Sequence, residues 1–252
     1  LFPYTTLFRS INVAKRINGE NIPFLNLDEP ELMVAQGSTG LASGATIAQA
    51  KVHALLEIIE RDALATMPFT RESCFCLKSR DQRIQGLLDD YESRFIRVQF
   101  RDLTTEFGVP VYQCFVLSPE GVVVQATACH LSGPHACLSA LAETPWPYSM
   151  SNPDIRKRTA PQMNGLEVRY LEDLPNYALP SNAANVRLLE RIFAEQNVHP
   201  LYVDVTREDF PFPVVRAILP HVEQTAEFDE WSRPSRRLFA RFLARNGQIE
   251  RK

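Results

Sequence analysis

The chain lacks most of the features that assign a protein to a class at a glance. It has no excess of one charge: 27 Lys and Arg stand against 30 Asp and Glu, a formal net charge of −3. That balance leaves no electrostatic footprint for a nucleic-acid partner. No apolar run approaches the roughly 20 residues of a membrane span. The first ten residues, Leu1-Phe-Pro-Tyr-Thr-Thr-Leu-Phe-Arg-Ser10, lack the charged start and continuous apolar stretch of a secretory signal. The 5 cysteines, Cys74, Cys76, Cys114, Cys129 and Cys137, are odd in number and fit no zinc spacing. They are expected to be reduced thiols in a cytoplasmic protein. Cys129 beside His130 is not read as a nucleophile–base pair, because sequence adjacency does not set a thiol against an imidazole. There is no internal repeat, no G-x-x-x-x-G-K-[ST] phosphate loop and no G-x-G-x-x-G. Any nucleotide must therefore be held by another device.

What is present is an ordinary globular balance, 45% hydrophobic and 23% charged over 252 residues, enough to bury a full core in one or two domains. One stretch stands out. Ser38-Thr-Gly-Leu-Ala-Ser-Gly-Ala-Thr46 reads as a Gly-rich turn leading into a helix. Thr46 with Gln49 three residues on has the spacing of a capping box. Val52, Leu55, Leu56, Ile59 and Ala63 recur with helical spacing as a core-facing stripe. His53, Glu57, Glu60 and Arg61 fall on another face. At about 100° per residue they project together. Two carboxylates there could ligate a hard cation, and Arg61 could hold a phosphate oxygen. The same Glu57–Arg61 spacing also decorates many solvated helices for a few tenths of a kcal/mol. The residues alone leave both readings open.

Along the chain, the spacing predicts the signature helix over 47–64, broken at Met67-Pro68, and a second helix over 82–94. Strands follow at 96–103, 109–117 and 122–128. The last two are joined at Ser118-Pro-Glu-Gly121, a type I-like hairpin turn. A helix is expected at 134–144, then a Pro- and Asn-rich loop or lid over 145–181. A helix at 182–196, strands at 200–206 and 212–219, and a basic amphipathic helix near 235–246 complete the chain. Residues 11–37 read as a loop and strand entry, with Ile22-Pro-Phe-Leu extended. Mixed strands, hairpins and helices define an α+β (mixed α/β) class. The last helix, with Arg233, Arg236, Arg237, Arg241 and Arg245 around Leu238, Phe239, Phe242 and Leu243, reads first as a packed surface helix. A docking or membrane role is its alternative.

The run Ser38-Thr-Gly-Leu-Ala-x-Gly, then Ala50, then His53-Ala-Leu-Leu-Glu57-Ile-Ile-Glu60-Arg61-Asp62-Ala63, resembles the signature of the YcaO family. Tyr202-Val-Asp-Val-Thr-Arg207 with Pro213-Val-Val-Arg216-Ala-Ile-Leu-Pro220 resembles its late strand pair. Ala128-Cys-His130 leading to Leu138-Ser-Ala-Leu-Ala-Glu143 is similar to its second nucleotide-binding helix. Together these pieces cover about 34 to 223. The resemblance implies a YcaO-like fold whose helices carry an ATP site with Mg2+. It makes Glu57, Glu60 and Glu143 metal and triphosphate residues, with Arg61, Ser38, His53 and Arg216 as further nucleotide contacts. His53 occupies a slot that is Ser in some members. Where the family often has Gln three residues after the later glutamate, this chain has Trp146 inside Thr144-Pro-Trp-Pro147. No catalytic residue is singled out.

The implied activity is ATP-dependent activation of a peptide backbone amide, by phosphorylation of its oxygen, in a ribosomally made peptide or protein. Loss of phosphate leaves an azoline or a thioamide. The implied partners are a peptide or protein substrate and a TfuA-like or ThiF-like protein. A homodimer is compatible with the resemblance, while a nucleic acid or a membrane is not expected. The chain ends Gln-Ile-Glu-Arg-Lys252, without the Pro-x-Pro-x-Pro tail of many azoline-forming members. This leans toward the thioamide or ribosomal-protein branch. Residues 1–10 are expected to be a non-native leader or artefact, and 11–252 a partial YcaO-like domain, a fragment of a longer protein. The rival reading is a non-catalytic YcaO-like scaffold that binds a peptide or partner without turnover.

Overall fold

The run Val111–Leu117 is buried along almost its whole length, which is the signature of a strand covered on both faces. A computed structural model places it so, and describes residues 38–69, 73–119, 121, 123–144, 166–220, 222–223 and 236–249, with side chains to Leu243. The elements are β1 (Leu41–Ser43), α1 (Ile47–Thr66), β2 (Cys74–Lys78), α2 (Gln82–Ser93), β3 (Arg97–Asp102), β4 (Val111–Leu117), β5 (Val123–Cys129), α3 (Gly133–Ala142), β6 (Glu167–Tyr170), α4 (Asn182–Glu195), β7 (Leu201–Asp204), β8 (Val214–Ile218) and α5 (Arg236–Ile249). The chain forms two compact units. One comprises Leu1–Ala65 and Leu179–Ser235, the other Thr66–Ala178 and Arg236–Lys252. Both are discontinuous in sequence. The mixed α/β class expected from the pattern is the class observed.

The second unit is built on a 5-stranded sheet in the order β5-β4-β3-β2-β6. The hairpin β4–β5 pairs Leu117 with Val123 and Val111 with Cys129, and Gly121 N–H closes its turn on the Ser118 carbonyl at 3.0 Å. On one face Phe75, Phe100, Tyr112, Cys114 and Val116 pack with Ala136, Cys137 and Ala140 of α3. Phe75 stacks on Phe100 at 5.6 Å and meets Tyr112 edge-on at 5.7 Å. Such aromatic pairs add to the area they bury. The small residues of α3 let its axis approach the sheet closely. Burial pushes the Cys114 and Cys137 thiols far up from their usual range, so they stay protonated and inert. No disulfide joins the 5 cysteines.

Two expectations are corrected. The segment 145–181 is not one long loop. Residues 145–165 lie outside the described residues, but Glu167–Tyr170 forms β6, parallel to β2 with Phe75 opposite Glu167 and Lys78 opposite Tyr170. Polar side chains secure it. Arg169 reaches Asp102 at 3.0 Å and Glu167 at 3.1 Å, with its guanidinium over the Phe75 ring at 4.6 Å. Arg80 grips Asp173 through two nitrogens at 2.7 Å. A strand of four residues with little apolar alternation gives periodicity nothing to register. The second correction is β1, inside the supposed Gly-rich turn. It pairs antiparallel with β8, Leu41 opposite Arg216. Residues 1–37, including Ile22-Pro-Phe-Leu and the expected leader, lie outside the described residues.

The first unit carries a 3-stranded sheet, β1-β8-β7, so the expected late strand pair is a true hairpin with Tyr202 opposite Ala217. Val215 and Ala217 are buried, as are Val186, Leu189 and Phe193 of α4 and the whole α1 stripe. Ser181 caps α4 by accepting the Ala184 N–H at 3.3 Å. Among the described residues no helix is long and apolar enough to cross a membrane.

Helix α5 is a packed helix, as read first. Leu238 is buried, and Arg237 and Arg241 both bond to Glu106. Burial works to raise the Glu106 carboxyl, but the Arg237 bond and both guanidinium charges hold it below its ordinary value of 4.5. A depressed carboxyl contributes stability that is present above its unfolded value and lost as pH falls through the folded one. Glu106→Ala is therefore expected to speed hydrogen exchange in α5 by an amount equivalent to about 1 kcal/mol, solvent screening discounted. The parent chain should lose α5 protection selectively as the pH falls below 4.5 and through the depressed folded value.

Candidate functional site

Helix α1 starts where the sequence places its cap. Gln49 N–H donates to the Thr46 hydroxyl at 3.2 Å, and the Gln49 side chain accepts from Ala45 N–H at 2.8 Å, one residue before the cap. It runs two residues past the expected end, to Thr66, and finishes in a short 3-10 turn, Met67–Phe69. Val52, Leu55, Leu56, Ile59 and Ala63 are all buried. The face bearing His53, Glu57, Glu60 and Arg61 is left partly open. His53 is exposed, its Nδ1 3.1 Å from the Ser43 carbonyl oxygen. Glu57, Glu60 and Arg61 are half-buried.

Glu57 is the centre of this face. Its Oε2 accepts the Gly40 N–H at 3.2 Å, and its Oε1 lies 3.8 Å from Arg61 Nη2. That distance is beyond hydrogen-bond reach, so Arg61 is near Glu57 without being locked to it. Burial raises the Glu57 carboxyl above its ordinary 4.5. Arg61, the Gly40 N–H and Arg216 act against that rise without cancelling it. Arg216 sits mid-β8 and is itself buried, which lowers its pKa while the Glu57 charge raises it. Glu57, Arg61, Arg216 and Gly40 thus form one electrostatic group within one unit.

Ser38 is exposed. Its carbonyl accepts Leu41 N–H at 2.8 Å, and β1 separates it from the start of α1. The helix entry is Gly44–Thr46 rather than Ser38–Gly40, so Ser38 does not lie at the helix N-terminus. Glu143 is the C-cap of α3, exposed, with its N–H on the Ser139 carbonyl at 2.9 Å. It belongs to the other unit, and Trp146 lies outside the described residues. Arg207 forms an exposed ion pair with Asp209 at 2.6 Å. His130 Nδ1 accepts Ser132 N–H at 2.9 Å, and its ring stacks on His135 at 4.0 Å. That serves local structure rather than thiol activation.

Two contributors escaped sequence reasoning. Asp62 is fully buried and accepts the Glu223 N–H at 2.9 Å. Lys51 sits over the Tyr202 ring at 4.0 Å, while Tyr202 OH donates to Glu190 at 2.9 Å, tying α1, β7 and α4 together. A buried Asp inside a helical apolar stripe was the available signal for the first. No spacing rule announces the second.

Among the described residues no group of three or more His, Cys, Asp or Glu side chains could hold a metal ion unaided. Mg2+ seldom needs one. It binds through one or two carboxylates, waters and substrate phosphates. The donor set of α1 fits that habit.

The family model described as YcaO cyclodehydratase, ATP- and Mg2+-binding, matches residues 21–223. The chain belongs to the YcaO family. An uncharacterized protein of Methanothermobacter thermautotrophicus is 26% identical over 213 residues, which is 74% of this chain and 55% of that protein. The structure of the heterocyclase TruD superposes with a TM-score of 0.69 at 22% identity, over 85% of this chain and 33% of TruD. The YcaO of Methanopyrus kandleri bound with AMPPCP and Mg2+ gives 0.61 at 20% identity, over 84% of this chain and 63% of that one. A heterocyclase in complex with substrate and cofactor gives 0.67 at 21%, over 81% and 30%. The fold is shared, and the chain spans about half the length of its sequence relative.

Because the Glu57 carboxyl is raised, its ionisation costs folding stability as pH rises through the folded value, and the full contribution is present only below 4.5. Glu57→Gln keeps an acceptor for Gly40 and removes the charge. Without nucleotide, this variant is expected to melt no lower than the parent at pH 7, with the difference closing by pH 4 in thermal scans.

Proposed function

We propose that the protein uses ATP and Mg2+ to activate a backbone amide in a peptide or protein substrate. The observation that carries this reading is the α1 face: Glu57 and Glu60 both half-buried, one helical turn apart, Arg61 near Glu57, and the buried Arg216 charge acting on Glu57. Family membership supports it, as does the shared fold with a relative that binds AMPPCP and Mg2+. ATP, when bound, supplies an electrophilic phosphorus that converts an amide oxygen into a leaving group.

The work of the chain's own residues is positional and electrostatic. Glu57 and Glu60 would hold the cation. Arg61 would neutralise phosphate oxygens. Arg216, fixed in a strand, would hold a positive potential that needs no rearrangement when charge arrives. Ser38 and His53 would contact the nucleotide at its edge. The activated amide would be taken by an external sulfide, giving a thioamide, or by a substrate Cys, Ser or Thr, giving an azoline. A TfuA-like or ThiF-like partner would present the substrate in the cytoplasm, and the chain would act as a homodimer.

A second reading, a scaffold that binds a peptide without turnover, is favoured by one observation. Helix α3 stops at Ala142, so Glu143 is its last cap rather than a mid-helix residue. Calorimetric titration with Mg·ATP separates the two. The parent is expected to bind saturably, and Glu57→Gln/Glu60→Gln to lose at least about 10-fold in affinity, as buried charge contacts do on removal. A folded parent that takes up no Mg·ATP would sink the enzymatic reading.

A further inference from the structure

We propose that the backbone N–H of Gly40 is the positioning group for Glu57, committing Oε2 to the protein and leaving Oε1 as the oxygen offered to the cation. The proposal rests on the nucleotide-site reading above. The two oxygens have different surroundings: Oε2 accepts Gly40 N–H at 3.2 Å, whereas Oε1 faces Arg61 at 3.8 Å. A carboxylate held this way is a one-oxygen ligand, which suits the tight octahedral shell of Mg2+ better than a bidentate clasp.

The surrounding backbone is shaped to deliver that N–H. Ser38–Leu41 is a tight turn closed by Leu41 N–H on the Ser38 carbonyl at 2.8 Å. Its third residue, Gly40, has φ of +76°, as a type II turn requires at that place. Gly40 is also wedged. A Cβ there would lie 2.2 Å from the Ala217 carbonyl oxygen and 2.9 Å from Ile58 Cδ1. Only a glycine brings this peptide between β8 and α1. Its carbonyl is used as well, accepting Ala217 N–H at 2.8 Å. One residue thus takes its reference from the strand that carries Arg216 and transmits it to the side chain of Glu57. This glycine is a cradle for the carboxylate.

Gly40→Ala would collide with backbone and say little about positioning, so the test changes the acceptor. Glu57→Asp keeps the charge but is one methylene too short to reach Gly40. Glu57→Gln keeps the reach and loses the charge. Each full-length variant is labelled with 15N-glycine, the Gly40 amide resonance is recorded, and Mg·ATP is titrated by calorimetry. The Gly40 amide proton is expected to stay near its parental shift in Glu57→Gln and to move upfield in Glu57→Asp, with the other glycine signals unchanged. Mg·ATP affinity should fall about 10–100-fold in Glu57→Asp despite its intact charge, as when an outer-shell partner of a metal ligand is removed. A Gly40 signal that ignores Glu57→Asp, or an aspartate variant that binds Mg·ATP within about twofold of the parent, overturns the proposal while parental binding persists. Loss of the nucleotide-site reading looks different, because the parent itself then binds no Mg·ATP.

Discussion

A half-buried carboxylate must find a donor or an opposing charge or give up its own, and Glu57 finds one donor and two cationic charges. Gly40 comes from the turn before β1, Arg61 from the next turn of its own helix, and Arg216 from the middle of β8. Much of the first unit follows from holding those three sources in place. Antiparallel pairing of β1 with β8 puts Leu41 opposite Arg216. The apolar stripe of α1 fixes the helix rotation, and Asp62 pins the chain beyond β8 through Glu223. The opposing charges do not fully offset the cost of burial, so the carboxyl remains raised.

The second unit meets a different constraint. A parallel neighbour for β2 must return from far along the chain, and loop closure makes such a contact slow and costly to form. The protein secures β6 with polar geometry rather than apolar area. Arg169 bridges β6, Asp102 and the Phe75 ring, while Ser79 donates to Glu172 at 2.6 Å. The apolar investment goes into the β2–β5 face against α3, where small Ala and Cys residues allow close packing.

Helices and long strands were legible in the sequence because their signals are periodic and local. The stripe Val52–Ala63, the amphipathic 82–94 segment and the Ser118–Gly121 turn each announce themselves within a few residues. The signature Glu57-x-x-Glu60-Arg61 was legible as a pattern, and the family membership it suggested is the family found. What the sequence hid was short or long-range. β1 is three residues of Leu-Ala-Ser, and β6 is four residues of mixed polarity. Their strand character comes from partners far along the chain. Likewise, no local rule says that the Gly40 N–H serves a side chain 17 residues away. Spacing placed Glu57, Glu60 and Arg61 on one face, but only the fold supplied Arg216 to the same carboxylate.

The interleaving of the two units has a consequence for how the protein is made. Its chain passes from one unit to the other and back, so α1 leaves the ribosome well before β7 and β8 exist. Asp62 and its partner Glu223 are 161 positions apart. At ordinary rates of translation that is a delay of roughly 10–30 s. Throughout that interval β7 and β8 of the same unit are still unmade, while the whole second-unit sheet is being synthesised. The segment bearing Glu57 is thus made before β7 and β8, the later strands of its own unit. In the cell, its integrity depends on whatever shields a nascent amphipathic helix during that wait.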